Sequence, residues 1–241
     1  MANQLVDRFA LRARVAAIER AAERSWLIRV AGPELEGLHW IPGQHVRVLA
    51  TGPLQRAADL LRTSLRCYSV WSYEDDRIEL CVYEHGEDGP GSHWAAELRV
   101  GDEVSFRRPE GRLVLDPAAP YHLFVGEETA TVAFGAMLRA LPTEAEAYAV
   151  LEAFGPAARL TLPGKAAVNW VDRGEAAAAD PPLLVEALRA ARLPETPGVA
   201  YVAGEARTCQ AVRAHLVRDR GWPRRSVIVK PFWSPGKRGM E

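Results

Sequence analysis

The sequence predicts a β + α/β protein, with an N-terminal antiparallel β-barrel followed by a C-terminal parallel-sheet domain. Three observations support this prediction. Apolar and polar residues alternate with period two in the first half, strands and helices alternate in the second half, and the proline-containing segment 116–120 separates them. The 241 residues, 48% of them hydrophobic, suffice for two cores. We therefore expect domains at 1–117 and 118–241.

The first half reads as short antiparallel strands joined by tight turns. The predicted strands are 11–17, 26–30, 45–49, 78–83 and 103–106, with a further strand beginning at Arg66. Glycine and proline pairs such as Pro42-Gly43 and Gly52-Pro53 mark the turns. Few long helical patterns intervene, which favours a closed or nearly closed barrel. Segment 54–65 fits either a short helix or an ordered loop.

The second half follows the order typical of a parallel sheet with crossover helices. Strands are predicted at 121–125, 147–153, 167–171, 199–203 and 226–229, and helices at 129–141, 183–192 and 207–219. A barrel followed by such a domain suits a redox enzyme, because the strand ends of a parallel sheet form ligand sites.

Composition excludes several classes of function. Thirty basic and 31 acidic side chains leave a net charge of −1, so we expect no nucleic-acid partner. No signal peptide or apolar window of about 18 residues is present, which indicates a cytoplasmic chain without a membrane span. Cys67, Cys81 and Cys209 are too few and too far apart for a disulfide framework or a metal site. We expect reduced, mostly buried thiols and a monomer.

The segment Arg66-Cys67-Tyr68-Ser69 carries the sharpest chemical signal. An arginine fork can clamp a phosphate, a tyrosine ring can lie flat on an isoalloxazine, and a serine hydroxyl can hydrogen-bond the ring. These residues favour a bound flavin. The alternative is an ordinary amphipathic strand with an exposed arginine. Alternation along the strand predicts that Cys67 points toward the core.

A glycine-rich stretch from His85 to Trp94 follows the next strand. Its glycines allow backbone amides to approach a pyrophosphate, and Ser92 is placed to cap a short helix at 95–98. An ordinary hairpin loop is the alternative. His85 and His93 lack a third ligand of suitable spacing, so we expect no metal site.

The C-terminal tail combines basic and aromatic residues. Lys230 and Lys237, two of only three lysines in the chain, flank Phe232 and Trp233. Ammonium groups can contact the hard oxygens of a catecholate, a hydroxamate or a phosphate. The aromatic pair favours packing and a functional role over a solvated basic terminus.

Together these motifs resemble the siderophore-interacting protein family, ferric-siderophore reductases within the ferredoxin-reductase-like flavoproteins. The resemblance covers essentially the whole chain. Its matching pieces are Pro42-Gly43-Gln44, Arg66-x-Tyr68-Ser69, His85-Gly86, Gly89-Pro90, Trp94-Ala95, Gly101-Asp102-Glu103, Gly126-Glu127-Glu128-Thr129-Ala130, Trp170 with Arg173, Ala203-Gly204-Glu205-Ala206, Phe232-Trp233 and Pro235-Gly236.

The resemblance implies a six-stranded FAD-binding barrel and an NAD(P)H-binding domain. It assigns cofactor contacts to Arg66, Tyr68, Ser69, Val82, His85, Gly86, Gly91, Ser92, Trp94, Glu128 and Thr129. It places the nicotinamide nucleotide near Arg173, Gly204 and Glu205, and makes Lys230, Trp233 and Lys237 candidates for substrate binding. The chain departs from the family pattern at Glu127-Glu128, where Gly-Asp usually precedes the acidic residue, and at Thr131-Val132, where Leu-Pro is common.

The function that the resemblance implies is reduction of a ferric siderophore by electrons from NADPH, NADH or reduced ferredoxin through FAD. The flavin does the chemistry, so no catalytic side chain is required. We expect Lys230, Lys237 and Arg173 to form an electropositive rim for the anionic chelate. Arg173 and Arg207 are alternative contacts for a 2′-phosphate, so the sequence does not decide between NADPH and NADH as the electron donor. Two alternatives remain: a general flavin or ferredoxin-type reductase with a protein acceptor, and a non-catalytic siderophore-binding flavoprotein.

Overall fold

The computed structural model describes residues 10–49, 65–84 and 90–236, without the side chains of residues 10 and 90–93. The chain divides into two compact units, Met1–Arg112 and Leu113–Glu241. The division lies upstream of the expected boundary at 117 because Leu113 is buried in the core of the second unit. Most of the predicted segment 54–65 lies outside the described residues.

The first unit is a closed six-stranded barrel, which confirms the predicted fold class. Around the barrel the strands follow the order β1-β2-β5-β4-β3-β6, and every described pairing is antiparallel. The strands are β1 (Ala10–Ala22), β2 (Ser25–Ala31), β3 (His45–Leu49), β4 (Leu65–Glu74), β5 (Arg77–Tyr83) and β6 (Glu103–Arg107). Alternate residues of each strand fill the barrel interior, as the period-two pattern predicts.

Strand β4 shows which side chains of the Arg66 motif share a face. Arg66 and Tyr68 stand opposite Val48 and Val46, whose side chains are buried in the barrel core. Cys67 therefore lies on the outer face and is exposed, so the prediction that it points toward the core is wrong. Cys81 and Cys209 are buried, as expected.

The helix after β5 corrects a second expectation. Helix α1 spans Pro90–Glu97, so it begins before Ser92. Ser92 lies within the first turn of the helix and is not its N-cap residue. Proline is favoured at the first turn because its missing N–H has no intrahelical partner there.

The second unit is a five-stranded sheet in the order β11-β10-β7-β8-β9, with every neighbouring pair parallel. Its elements, in chain order, are β7 (His122–Glu127), α2 (Thr131–Ala140), β8 (Ala147–Ala153), β9 (Ala167–Asp172), α3 (Pro182–Ala190), β10 (Val199–Glu205), α4 (Ala206–Ala214) and β11 (Val227–Trp233). Residues of α2 pack in the core on one face of the sheet, and residues of α3 and α4 pack in the core on the other. The strand and helix order is as predicted.

Two element ends differ from the sequence expectation. The predicted helix 207–219 is α-helical to Ala214 and then continues as a π-helical turn, His215–Asp219. Strand β11 extends to Trp233, so the aromatic pair Phe232-Trp233 belongs to the sheet. Among the described residues, no helix is long and apolar enough to cross a membrane.

Gly126, near the end of β7, allows close packing against β10. A Cβ at this position would lie 2.3 Å from the carbonyl oxygen of Ala203 and 2.8 Å from Cβ of Ala130. We expect Gly126→Ala to lower the free energy of unfolding by more than about 2 kcal/mol, because the backbone must shift. Gly155→Ala is the matched control, since its Cβ would meet nothing within 4 Å. Its effect should stay within about 0.5 kcal/mol. Chemical denaturation measures both values, and equal losses would contradict the packing argument.

Candidate functional site

The barrel presents an aromatic platform at the predicted flavin motif. The rings of Tyr68 and Trp94 stack with centroids 5.2 Å apart and an interplanar angle of 27°. Both side chains are partly buried and pack against the barrel core. Burial raises the pKa of the Tyr68 hydroxyl, so Tyr68 is neutral at physiological pH. A stacked pair of this kind offers a rigid apolar surface for a planar ring.

The remaining barrel candidates have different surroundings. The Nη1 atom of Arg66 donates a 2.9 Å hydrogen bond to the Leu65 carbonyl oxygen, which uses one of the five donors of the guanidinium. Ser69 is half-buried on the face of β4 opposite to Tyr68. Val82 is buried in the core, so its backbone is the part that could meet a ligand. His85 and Gly86 lie outside the described residues, and Gly91 and Ser92 are described only by their helical backbone.

The carboxyl ends of three strands in the second unit carry buried glutamates. Glu127 ends β7 and stands opposite Glu152 on β8. Glu205 ends β10. All three residues are at most 1% exposed. We call Glu127, Glu128, Glu152 and Glu205 the acidic row. Buried carboxylates at strand ends require compensating hydrogen bonds or cations.

Glu127 is held by hydrogen bonds from two parts of the unit. Thr129 donates both its backbone N–H, at 2.9 Å, and its hydroxyl to this carboxylate. The indole Nε1 of Trp233 donates a further bond of 3.0 Å. Gly204 permits this arrangement, since a Cβ there would lie 2.6 Å from Glu127 Oε1 and its φ is +116°. Trp233 and Thr129, two predicted site residues, thus meet at one carboxylate.

Arg173 supplies the cation for the acidic row. Its guanidinium makes a bidentate hydrogen-bonded ion pair with Glu128 and lies 3.7 Å from Glu152 Oε1. Its Nε donates to the carbonyl oxygen of Ala176 at 3.1 Å. Because its side chain is 10% exposed and ion-paired, Arg173 does not fit the expected solvent-facing rim. Bidentate pairing orients the carboxylate as well as neutralising it.

Two carboxyl groups of the acidic row, those of Glu127 and Glu152, have raised pKa values. Burial raises the pKa of Glu152 to about 7 against the lowering effect of Arg173. Burial, and then the charge of Glu128, also raise the pKa of Glu127. Glu152 Oε1 is buried without a hydrogen-bond partner among the described residues. One guanidinium therefore does not fully compensate these carboxyl groups.

Glu205 occupies the N-terminus of helix α4. Its carboxylate accepts hydrogen bonds from the backbone N–H groups of Arg207, at 2.6 Å, and Thr208, at 3.0 Å. This N-cap satisfies amides that would otherwise be available to an anion. Arg207, the alternative phosphate contact, is exposed at the first turn. Lys230 is half-buried in β11, and Lys237 lies outside the described residues.

The sequence motifs do not include Glu152, and they include Glu127 only as part of the segment 126–130, without a role of its own. The available signal was a lone carboxylate at the end of an apolar strand, as in the β8 sequence AYAVLEA and the β10 sequence VAYVAGE. Parallel strands place such residues at the same edge of a sheet. No group of three or more potential metal ligands occurs among the described residues.

Comparison with known proteins identifies the family. The model of the siderophore-interacting FAD-binding domain matches residues 14–113, and that of the siderophore-interacting protein matches residues 119–236. The chain belongs to the siderophore-interacting protein family. This confirms the resemblance drawn from the Arg66 and Gly126 motifs. An FAD-binding barrel is therefore the first half of the chain.

Relatives and solved structures agree with this assignment. An uncharacterized protein of Mycobacterium tuberculosis is 34% identical over 172 residues, which cover 66% of this chain and 60% of that protein. Ferric vibriobactin reductase ViuB of Vibrio cholerae is 28% identical over 180 residues, which cover 71% of this chain and 65% of the reductase. The matches thus span about two thirds or less of these relatives.

The siderophore-interacting protein SipS from Aeromonas hydrophila has a matching fold. Its TM-score is 0.80 at 24% identity, over 95% of this chain and 93% of that one. A siderophore utilization protein from T. fusca gives the same TM-score and identity, over 96% of this chain and 95% of that chain. These structures support the fold of a barrel followed by a parallel sheet.

The raised pKa of Glu152 predicts a pH-dependent stability. Between the usual pKa of 4.5 and about 7, the unfolded chain loses this proton before the folded chain does, so rising pH lowers the free energy of unfolding. The loss is complete above pH 7 and amounts to at most ~3 kcal/mol. Glu152→Gln removes this titration. We therefore expect the free energy of unfolding of the variant to fall less between pH 5 and pH 8 than that of the wild type. Calorimetric unfolding at both pH values measures the difference, and parallel pH profiles would exclude the assignment.

Proposed function

We propose that the chain is a flavin-dependent reductase that passes electrons from NAD(P)H through FAD to siderophore-bound iron(III), releasing iron(II) for use inside the cell. The observation that carries this proposal is the ring stack of Tyr68, on the strand that presents Arg66, with Trp94 of helix α1, in a unit that matches the family's FAD-binding domain. The ferric vibriobactin reductase among the relatives supports the choice of iron substrate.

The barrel residues fit a flavin. The Tyr68 ring offers a neutral, partly exposed surface for a planar ring system, and Arg66 carries donors suited to a phosphate. When bound, FAD supplies the conversion of a two-electron hydride donor into single-electron steps. The protein binds and orients the reactants, and no side chain must act as a nucleophile. We assign flavin binding to residues 1–117 and NAD(P)H binding to residues 118–241.

The second unit contributes a loop that hydrogen bonds and an ion pair hold in place. Glu127 fixes Thr129 and Trp233, while Arg173 fixes Glu128, so the loop between β7 and α2 is anchored at both glutamates. The Thr129 hydroxyl donates to Glu127, so toward a cofactor it acts as a hydrogen-bond acceptor. We propose that Glu128 and Thr129 of this loop contact the flavin cofactor.

Purified protein should carry or take up FAD, visible as flavin bands at roughly 350–500 nm. Tyr68→Ala should weaken FAD binding about tenfold, because an aromatic stack contributes ~1 kcal/mol beyond the loss of buried area. Tyr73→Phe is the control on the same strand, since the Tyr73 hydroxyl donates to the Leu35 carbonyl oxygen. Equilibrium dialysis against FAD measures the affinity of each variant for the cofactor. A colourless protein that cannot be reconstituted would overturn the proposal.

The tail lysines are proposed to attract the anionic ferric chelate. Lys230→Ala with Lys237→Ala should raise the KM for the chelate several-fold at low ionic strength and leave kcat unchanged, since long-range attraction acts on encounter. The difference should shrink as salt is added. Lys165→Ala, which removes the remaining lysine of the chain, is the control. Steady-state reduction of a ferric chelate under anaerobic conditions gives these values, and an unchanged KM would discard the role of the lysines.

A further inference from the structure

The two edges of the parallel sheet differ in how they are protected. Strand β11, at one edge, contains Lys230 and Pro231, residue types that discourage pairing with another chain. Strand β9, at the other edge, has neither: residues 166–171 read Ala-Ala-Val-Asn-Trp-Val and carry no charge, and Asp172, which ends the strand, is ion-paired with Arg159. Its register with β8 contains no bulge. An exposed, regular edge whose central residues carry no charge is a template for another strand.

The backbone hydrogen bonds between β8 and the end of β9 show which residues of β9 direct their N–H and C=O groups away from the sheet. The backbone N–H of Arg173 donates to the carbonyl oxygen of Ala153 at 2.9 Å. In a parallel ladder, alternate residues direct both backbone groups to the same neighbour, so Asn169 and Val171 also face β8. The backbone groups of Val168 and Trp170 point away from the sheet. Val168 is 36% exposed, and Ala167 and Asn169 are exposed as well.

The sequence of β9 is complementary to itself in one antiparallel register. With Asn169 on a two-fold axis, Val168 and Trp170 of each copy form hydrogen-bonded pairs through their outward backbone groups. Val168 then contacts Trp170 of the second copy, an aromatic and β-branched pair that stabilises antiparallel sheets. Asn169 faces Asn169 of the second copy, and Ala167 faces Val171 of the second copy. Ala166 faces Asp172, so no like charges face each other within residues 166–172.

We propose that β9 pairs antiparallel with β9 of a second copy of this chain, centred on Asn169, and joins the two sheets into a continuous ten-stranded sheet. This two-fold contact is isologous, as most homodimer interfaces are. It differs from the monomer expected from sequence and does not depend on the proposed activity. A single pair of strands is a small interface, so the dimer is weak, with a Kd on the order of 10–100 µM.

Charge substitutions at Asn169 test the register. Asn169→Lys and Asn169→Asp each place like charges across the two-fold axis, and the exposed site tolerates either residue in the monomer. Sedimentation equilibrium should show a concentration-dependent dimer for the wild type and for the neutral control Asn169→Ser. Each charged variant alone should weaken dimerisation at least about tenfold. An equimolar mixture of the two charged variants should restore it.

A cross-link provides a second test. Residues facing each other in a non-hydrogen-bonded antiparallel pair have Cα atoms close enough for a disulfide, so Asn169→Cys should form a covalent dimer on mild oxidation. The exposed Cys67 is first replaced by serine, and Val100→Cys, a site 65% exposed in the barrel unit, is the control. A wild type that stays monomeric at concentrations well above 100 µM overturns the proposal, as does a dimer that persists unchanged in Asn169→Lys.

Discussion

The buried ion pair between Arg173 and Glu128 is the interaction on which the carboxyl edge of the second sheet depends. Burying a carboxylate without compensation costs several kcal/mol, and this edge buries four glutamates side by side. Arg173 contacts two of them, Thr129 and Trp233 hold a third, and the amides of α4 hold Glu205. The raised pKa of Glu152 shows that the compensation is incomplete. The carboxyl groups of Glu152 and Glu127 therefore keep their protons to higher pH than exposed carboxyl groups do.

The two units carry different chemical groups for binding the cofactors of a flavoprotein. The barrel presents stacked aromatic rings beside an arginine, which suits a planar ring carrying phosphates. The second unit presents carboxyl groups and a hydroxyl whose hydrogen is already donated. Arg173 accordingly acts within the protein as a structural counter-ion, although its position in the sequence suggested a surface cation. A motif arginine gives no indication of whether its charge reaches solvent until its partners are known.

Local periodicity made much of the fold predictable. Alternation of period two identified the barrel strands, and the strand and helix order identified the parallel sheet, because each pattern reflects which face of an element is buried. The face of a strand toward which an individual side chain points was harder to predict. Cys67 was expected inward because its neighbours were treated as ligand-facing, but Tyr68 is on the core side of β4. The start of α1 was misplaced because Ser92 resembles an N-cap, whereas Pro90 begins the helix.

By itself the sequence determined the class of protein: a flavin motif on a barrel strand, a parallel-sheet domain after it, and motif spacing that matches the siderophore-interacting family. Those features are local or depend on order along the chain. Only the tertiary structure decided that Glu127 meets Trp233, that Arg173 pairs with Glu128, and that β9 is an edge strand. These contacts join residues 45 to 106 positions apart, or depend on strand order in space, and no short-range pattern encodes either.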